Sequence, residues 1–462
     1  MKKTPLSKHP LVTGTILLTS AGLLSRLIGF FYRIFLSHTI GAEGLGIYQL
    51  IFPIYAMTFS LTVAGIQSSI SKFVAEAAAK GAAGTMDTGR TSFHKSRIPH
   101  TERSDTRLLP DSFTYLYVGL FLSLLLSFLC MIVLYRYADV LAVRVLEEPR
   151  CTPLLQILSL TIPFGAIHSC INGYYYGLQK TAVPAGSQLL EQLARVGGVY
   201  VLYRIATSQG QPVTIHMAVW GLVIGEIASV LYSVSFTRFR KGCHGYTKAL
   251  AQISVMALPL TANRVFINLF QSVEAIMIPG KLKDFGYLPQ EALSVYGVLT
   301  GMAMPMVLFP SAITNSVSVM LLPAISEAQA KNDREYVRKA IRKSCFYCIT
   351  LGLSCTLGFL LVGRPLGQLV FANQLAGTFI VTFAWICPFL YLTTTLSSII
   401  NGLGKTGATF LLNLAGSGIR ILAVVVFIPI FGIRAYMIGM LVSHLAVSGA
   451  ALLVLKRMDW QV

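Results

Sequence analysis

Charge is what this sequence has least of. Asp, Glu, Lys and Arg make up 12% of its 462 residues, about half the share found in soluble globular domains. Acidic residues are the scarcer sign, 18 against 37 basic. So little charge cannot cover a soluble surface, and the remainder is 54% hydrophobic with a mean hydropathy of +0.67. The positive excess would suit nucleic acid, but the basic residues cluster in alternate loops between apolar runs. That pattern belongs to a membrane protein, and no nucleic-acid partner is expected.

Other chemistry also lacks its material. Of the eight cysteines, Cys130, Cys170, Cys355 and Cys387 fall inside apolar runs, while Cys345 and Cys348 form a lone C-x2-C with no second pair. They read as small buried apolar side chains, and no metal, disulfide or cofactor is expected. No convincing small-residue cleavage site follows Lys2, Lys3 and Lys8, and the apolar run behind them is too long for a signal-peptide core. The first helix is expected to stay as a signal anchor. The loops assigned to the outside are short and hold no pair of carboxylates at catalytic spacing, which points away from an enzyme.

What the sequence does have is apolar runs of about 20 residues or more, enough to cross a hydrocarbon core of roughly 30 Å. Cut at charged and Gly/Pro-rich breaks, they predict an all-α integral membrane protein with twelve spans: 11–37, 44–72, 113–135, 152–177, 183–204, 214–236, 249–279, 291–322, 344–371, 376–401, 407–430 and 432–455. With a cytoplasmic N-terminus, 24 Lys and Arg fall in inside segments and 8 in outside loops. Both termini are therefore placed in the cytoplasm of a multi-pass protein, expected to be a monomer.

The chain repeats itself. Gly177-Leu178-Gln179-Lys180-Thr181 recurs 225 residues later as Gly402-Leu403-Gly404-Lys405-Thr406, and Arg195 recurs as Arg420 at the same offset. Ala64–Ser71 likewise resembles Ser311–Ser318. Six spans per half is an even number, so the halves share one topology. Two six-helix lobes are predicted, 1–240 and 241–462, related by a pseudo-two-fold along the membrane normal, as in transporters built from parallel repeats. Prolines at 53, 163, 259, 305, 310 and 388 interrupt spans, either bending helices for transport or shaping their packing. A polar linker of about 74–112 opens as a helix extension over Phe73–Lys80 and then reads as flexible. Residues 327–343 read as a short basic amphipathic helix on the inner leaflet or as ordinary solvated loop charge.

Five arginines fall inside predicted spans: Arg26, Arg33, Arg195, Arg264 and Arg420. A guanidinium facing lipid costs several kcal/mol, so intramembrane arginines normally face a bundle interior or a watery cavity. Arg26 and Arg33 are seven residues apart, on one helix face and about 10 Å apart along the axis. A planar guanidinium suits phosphate, which it binds bidentately while staying protonated. Arg26, Arg33 and Arg264, its counterpart on the seventh helix, are the candidate ligands of an anionic headgroup. Arg195 and Arg420 form a secondary set, with Glu191 four residues before Arg195 as a ready helical partner. Glu226 and Glu274, with Glu191, either take a proton or sodium ion or neutralise an arginine. His168 and His444 relay protons or pack.

Two blocks carry a family resemblance. The first spans Gly14–Glu76, above all Ser25–Phe30 and Ile40–Pro53. The second holds Leu258-Pro259-Leu260-Thr261, Arg264, Glu274-Ala275, Gly301-Met302-Ala303-Met304-Pro305 and Leu322–Ala328. They resemble the stage V sporulation protein B group, in the polysaccharide-transporter branch of the multidrug/oligosaccharidyl-lipid/polysaccharide exporter superfamily. The resemblance implies a bacterial plasma-membrane flippase for an undecaprenyl-pyrophosphate-linked oligosaccharide, tied to spore-cortex peptidoglycan, with coupling to H+, Na+ or the membrane potential left open. It also implies a departure, since the thirteenth and fourteenth helices common in lipid II flippases are missing. The rival readings are a cation-exporting drug antiporter of the same superfamily, a membrane glycosyltransferase and a scaffold. The first needs lumenal carboxylates, yet intramembrane arginines outnumber glutamates five to three.

Overall fold

The computed structural model describes residues 10–88, 111–239 and 245–457, and among these every regular element is a helix. In chain order the long helices are α1 (Pro10–Thr39), α2 (Gly41–Ala78), α3 (Ser112–Arg136), α4 (Cys151–Gly177), α5 (Ala182–Ser208) and α6 (Ile215–Phe236). The second series is α7 (Tyr246–Phe285), α8 (Pro289–Leu308), α9 (Arg334–Phe371), α10 (Gln374–Gly402), α11 (Thr406–Phe431) and α12 (Ile433–Arg457). Eleven of the twelve are long and apolar enough to cross a membrane. The exception is α5, which has the length but carries Gln188, Glu191, Gln192 and Arg195 in its first half. An all-α membrane fold is the result, as the apolar runs predict.

Packing groups the chain into two compact units. One takes residues up to Ile28 and Ile54–Leu269; the other takes Gly29–Pro53 and Phe270–Val462. Packing thus divides α1, α2 and α7 between the two units, a different division from halves cut at residue 240. The 40 residues of α7 extend about 60 Å at 1.5 Å per residue, long enough to serve one unit with each part.

In the first unit, α4 is the buried centre, with 72% of its apolar window inside. Ile66, Ile70 and Val74 of α2 recur every four residues and so share one helix face. They pack with Leu116 of α3, Cys170, Ile171 and Tyr174 of α4, and Ile253 and Ala257 of α7. Asp111 starts α3 by accepting the Thr114 N–H at 2.7 Å, a side-chain N-cap for an otherwise orphan donor.

In the second unit the corresponding helix, α10, is again among the most buried, at 61%, the same share as α8. Asn373 caps it through the Ala376 N–H at 3.0 Å. The repeat read from the sequence is reproduced in backbone detail. Lys180 N–H reaches Tyr175 O at 2.9 Å and Lys405 N–H reaches Ile400 O at 3.1 Å, the six-to-one bond of a Schellman helix end. The left-handed residue that this end requires is Gln179 in one half, at φ 59°, and Gly404 in the other, at φ 75°. Gly177 sits against α2 and Gly402 against the helix Ser311–Ala330: an added Cβ would lie 2.6 Å from Ser71 O and 2.9 Å from Leu322 O respectively.

Three expected boundaries change. The span predicted over 291–322 breaks after Leu308, and a separate helix, Ser311–Ala330, follows. Pro310 has no N–H to donate to the preceding turn, and its ring crowds the carbonyl four residues earlier, so the hydrogen-bond ladder stops there although Phe309 keeps helical φ and ψ. Residues 327–343 are not one amphipathic helix: the chain turns at Asn332 (φ 55°), Asp333 caps the Tyr336 N–H at 2.9 Å, and 334–343 are the opening turns of α9. On this exposed turn Lys331 bonds Glu327 and holds its carboxyl below the usual range. The helix leaving α2 continues to Thr88 rather than ending near Lys80; the remaining linker to residue 110 lies outside the described residues.

Gly46 of α2 and Gly297 of α8 make the closest helix contact in the second unit to be tested by substitution. A Cβ on Gly297 would sit 2.0 Å from Ala42 O and 2.5 Å from Gly46 N, whereas nothing lies within 4 Å of a Cβ on Gly418. Gly297→Ala is expected to destabilise by about 2 kcal/mol or more, since rigid backbone must separate. Gly418→Ala is expected to leave the chain unchanged or slightly more stable. Thermal unfolding of the two purified variants in detergent is the check.

Candidate functional site

The five intramembrane arginines fall into two kinds. Arg195 and Arg420 are neutralised; Arg26, Arg33 and Arg264 make no ion pair among the described residues. The repeat explains the difference within the first kind. In α5 the guanidinium of Arg195 donates to Glu191 one turn earlier. At the same offset before Arg420 stands Gly416, so α11 has no carboxylate of its own to offer. Glu274 of α7 supplies it: Arg420 Nε lies 2.9 Å from both carboxylate oxygens, and the Tyr436 hydroxyl donates to Oε1 at 2.9 Å. Ser443 and Ser417 take the two remaining guanidinium nitrogens at 3.2 and 3.1 Å. This network is one carboxylate against one permanent cation, with every oxygen engaged.

The first unit holds a second network. Glu226 of α6 is 3% exposed. Its Oε1 accepts the Tyr55 hydroxyl at 2.8 Å and its Oε2 stands 2.9 Å from His168 Nδ1. Neither Tyr55 nor Tyr436 is marked by any sequence motif. Their partners lie 171 and 162 residues away, and no local pattern encodes such a contact. His444, the other mid-span histidine, offers its backbone carbonyl to Thr393 at 3.3 Å.

Arg26 of α1 and Arg264 of α7 are exposed, and both belong to the first unit; Arg33 is half-buried and belongs to the second. Arg264 is deep in its helix, 18 residues from the start of α7, too far from either end for simple snorkelling. The helix around it is polar as well: Asn263 is exposed beside it, and Asn268, one turn on, bonds Ser60 and donates to Ala56 O at 3.3 Å. The Asn268 contacts fix α7 against α2 at this level. An exposed guanidinium and amide in the middle of an apolar helix call for water or an anion, because lipid satisfies neither.

A model of the family described as "polysaccharide biosynthesis protein" matches residues 11–329. The chain is 27% identical over 425 residues to stage V sporulation protein B of Bacillus subtilis (strain 168), covering 90% of this chain and 77% of that one. It is 19% identical over 427 residues to the lipid II flippase MurJ of the same organism, covering 86% and 73%. Among solved structures, an inward-facing multidrug resistance MATE family transporter of the MOP superfamily superposes with a TM-score of 0.67 at 14% identity, over 96% of this chain and 98% of that chain. That likeness establishes the fold: two six-helix lobes of the MATE type. With more than half its length matched by the family model, this multi-pass membrane protein belongs to the polysaccharide biosynthesis protein family.

Proposed function

We propose that the protein is a flippase that carries an undecaprenyl-pyrophosphate-linked oligosaccharide, a lipid II-like peptidoglycan precursor for the spore cortex, from the inner to the outer leaflet of the bacterial plasma membrane. The observation that carries this reading is Arg264, exposed in the middle of an apolar helix with no ion pair among the described residues while Arg195 and Arg420 are neutralised. A diphosphate brings about two negative charges, which hydrocarbon excludes unless cations meet them. Arg26 and Arg264, joined by Arg33, supply those cations, and the prenyl tail stays in lipid. Transport proceeds by alternating access, in a monomer with both termini cytoplasmic.

The membership in a polysaccharide biosynthesis family and the likeness to a protein named as a lipid II flippase support a transporter over an enzyme. The test is a flipping assay in proteoliposomes with a fluorescent polyprenyl-pyrophosphate sugar, read by its accessibility to an external quencher. The native chain is expected to move the label across the bilayer faster than protein-free vesicles do. Absence of flipping, together with export of a cationic dye that is lost on Glu274→Gln, would instead make it a drug antiporter.

A further inference from the structure

We infer that the Tyr55–Glu226–His168 network of the first unit is a proton-binding site, carrying one exchangeable proton between Glu226 and His168. The argument is a count of buried charge. Four ionisable side chains meet there from α4, α5 and α6: His168, Glu191, Arg195 and Glu226, none more than 18% exposed. Tyr55 of α2 completes the set. Glu191 is balanced by Arg195, a cation that never gives up its proton. Glu226 has only His168, whose positive charge is itself a removable proton. With the proton in place the group is neutral; without it, a net negative charge is stranded in a low-dielectric interior, which proteins avoid. Loading and unloading are therefore confined to conformations that open this site to water.

The second unit provides an internal contrast. Its buried carboxylate, Glu274, is held by Arg420, so that network is neutral without any exchangeable proton. The cation taken by the first unit is a proton rather than sodium. Both oxygens of Glu226 already stand at hydrogen-bond distance from donors, the Tyr55 hydroxyl and His168 Nδ1, while a hard metal ion needs several oxygen ligands. That this proton drives transport rests on the flippase reading; that it binds does not.

Infrared difference spectra of the full chain in lipid, taken between about pH 5 and pH 9, span the range in which a histidine–carboxylate pair changes charge. One coupled imidazole and carboxyl band pair is expected. It should vanish in both Glu226→Gln and His168→Gln and persist in Glu274→Gln. Tyr55→Phe, which keeps both charges, guards against misfolding of the others and should retain the pair with a displaced midpoint. A pair unchanged in Glu226→Gln and His168→Gln, or no titration at all, overturns the site. A spectral change on adding sodium at constant pH, absent in Glu226→Gln, overturns the proton in favour of sodium. In proteoliposomes, a gradient of about one pH unit, tenfold in proton activity, should change the native flipping rate severalfold and that of Glu226→Gln not at all. Equal response of the two overturns coupling. If the native chain flips nothing while the band pair is present, the flippase reading fails and the proton site stands.

Discussion

Arg420→Ala is expected to destabilise the protein by about 3–5 kcal/mol, the cost of leaving a buried charge without its partner. Glu274 is 6% exposed and would keep only the Tyr436 hydroxyl. Replacing both members of the pair should do far less harm. Glu274→Leu with Arg420→Met removes both charges at similar volume, and buried pairs exchanged in this way are often neutral or stabilising. The difference between the single and double variants, read from thermal unfolding in detergent, measures how much of the single-variant loss is stranded charge. A single variant as stable as the native chain would show that Glu274 is solvated in the native state, contrary to its burial.

Arg26→Ala and Arg264→Ala carry the second large expected effect, on transport rather than on folding. A hydrogen bond to a charged phosphate contributes about 1.5–3 kcal/mol, which corresponds to roughly 10- to 100-fold in rate or affinity. Each variant should therefore flip the labelled lipid at least about tenfold more slowly. Both arginines are exposed and make no ion pair among the described residues, so stability should stay within about 0.5 kcal/mol of the native chain. Lys at either position should recover part of the rate, since it keeps the charge but loses the planar fork. Flipping at the native rate by both alanine variants would remove these arginines from the mechanism.

The two sets of arginine substitutions separate roles that sequence position alone does not distinguish. All five are arginines in apolar runs, and at that level they look alike. The i,i+4 relation of Glu191 to Arg195 is local, and helix geometry alone brings the pair together. The partnership of Arg420 with Glu274 is not local: the repeat puts Gly416 where Glu191 would stand, and the carboxylate arrives from a helix 146 residues earlier. The same applies to Glu226, whose hydroxyl and imidazole partners come from α2 and α4. The broken eighth span shows another limit of reading by hydropathy. Residues on both sides of Phe309-Pro310 are apolar, so composition runs on through the turn, and only the missing amide of Pro310 marks it.

The order of residues by itself determined the all-helical membrane fold, the doubling of the chain and those helix ends that local caps make. These depend on apolar length, on a recurrent glycine-and-lysine turn and on side chains within four residues of their backbone partners, all of which are near neighbours along the chain. Tertiary structure decided which buried carboxylates meet a permanent cation and which meet a histidine. It also decided which arginines remain exposed and which helices serve both packing units. Those outcomes depend on side chains well over a hundred residues apart reaching hydrogen-bond distance, and burial gives such contacts their energetic weight by removing the water that would otherwise screen them.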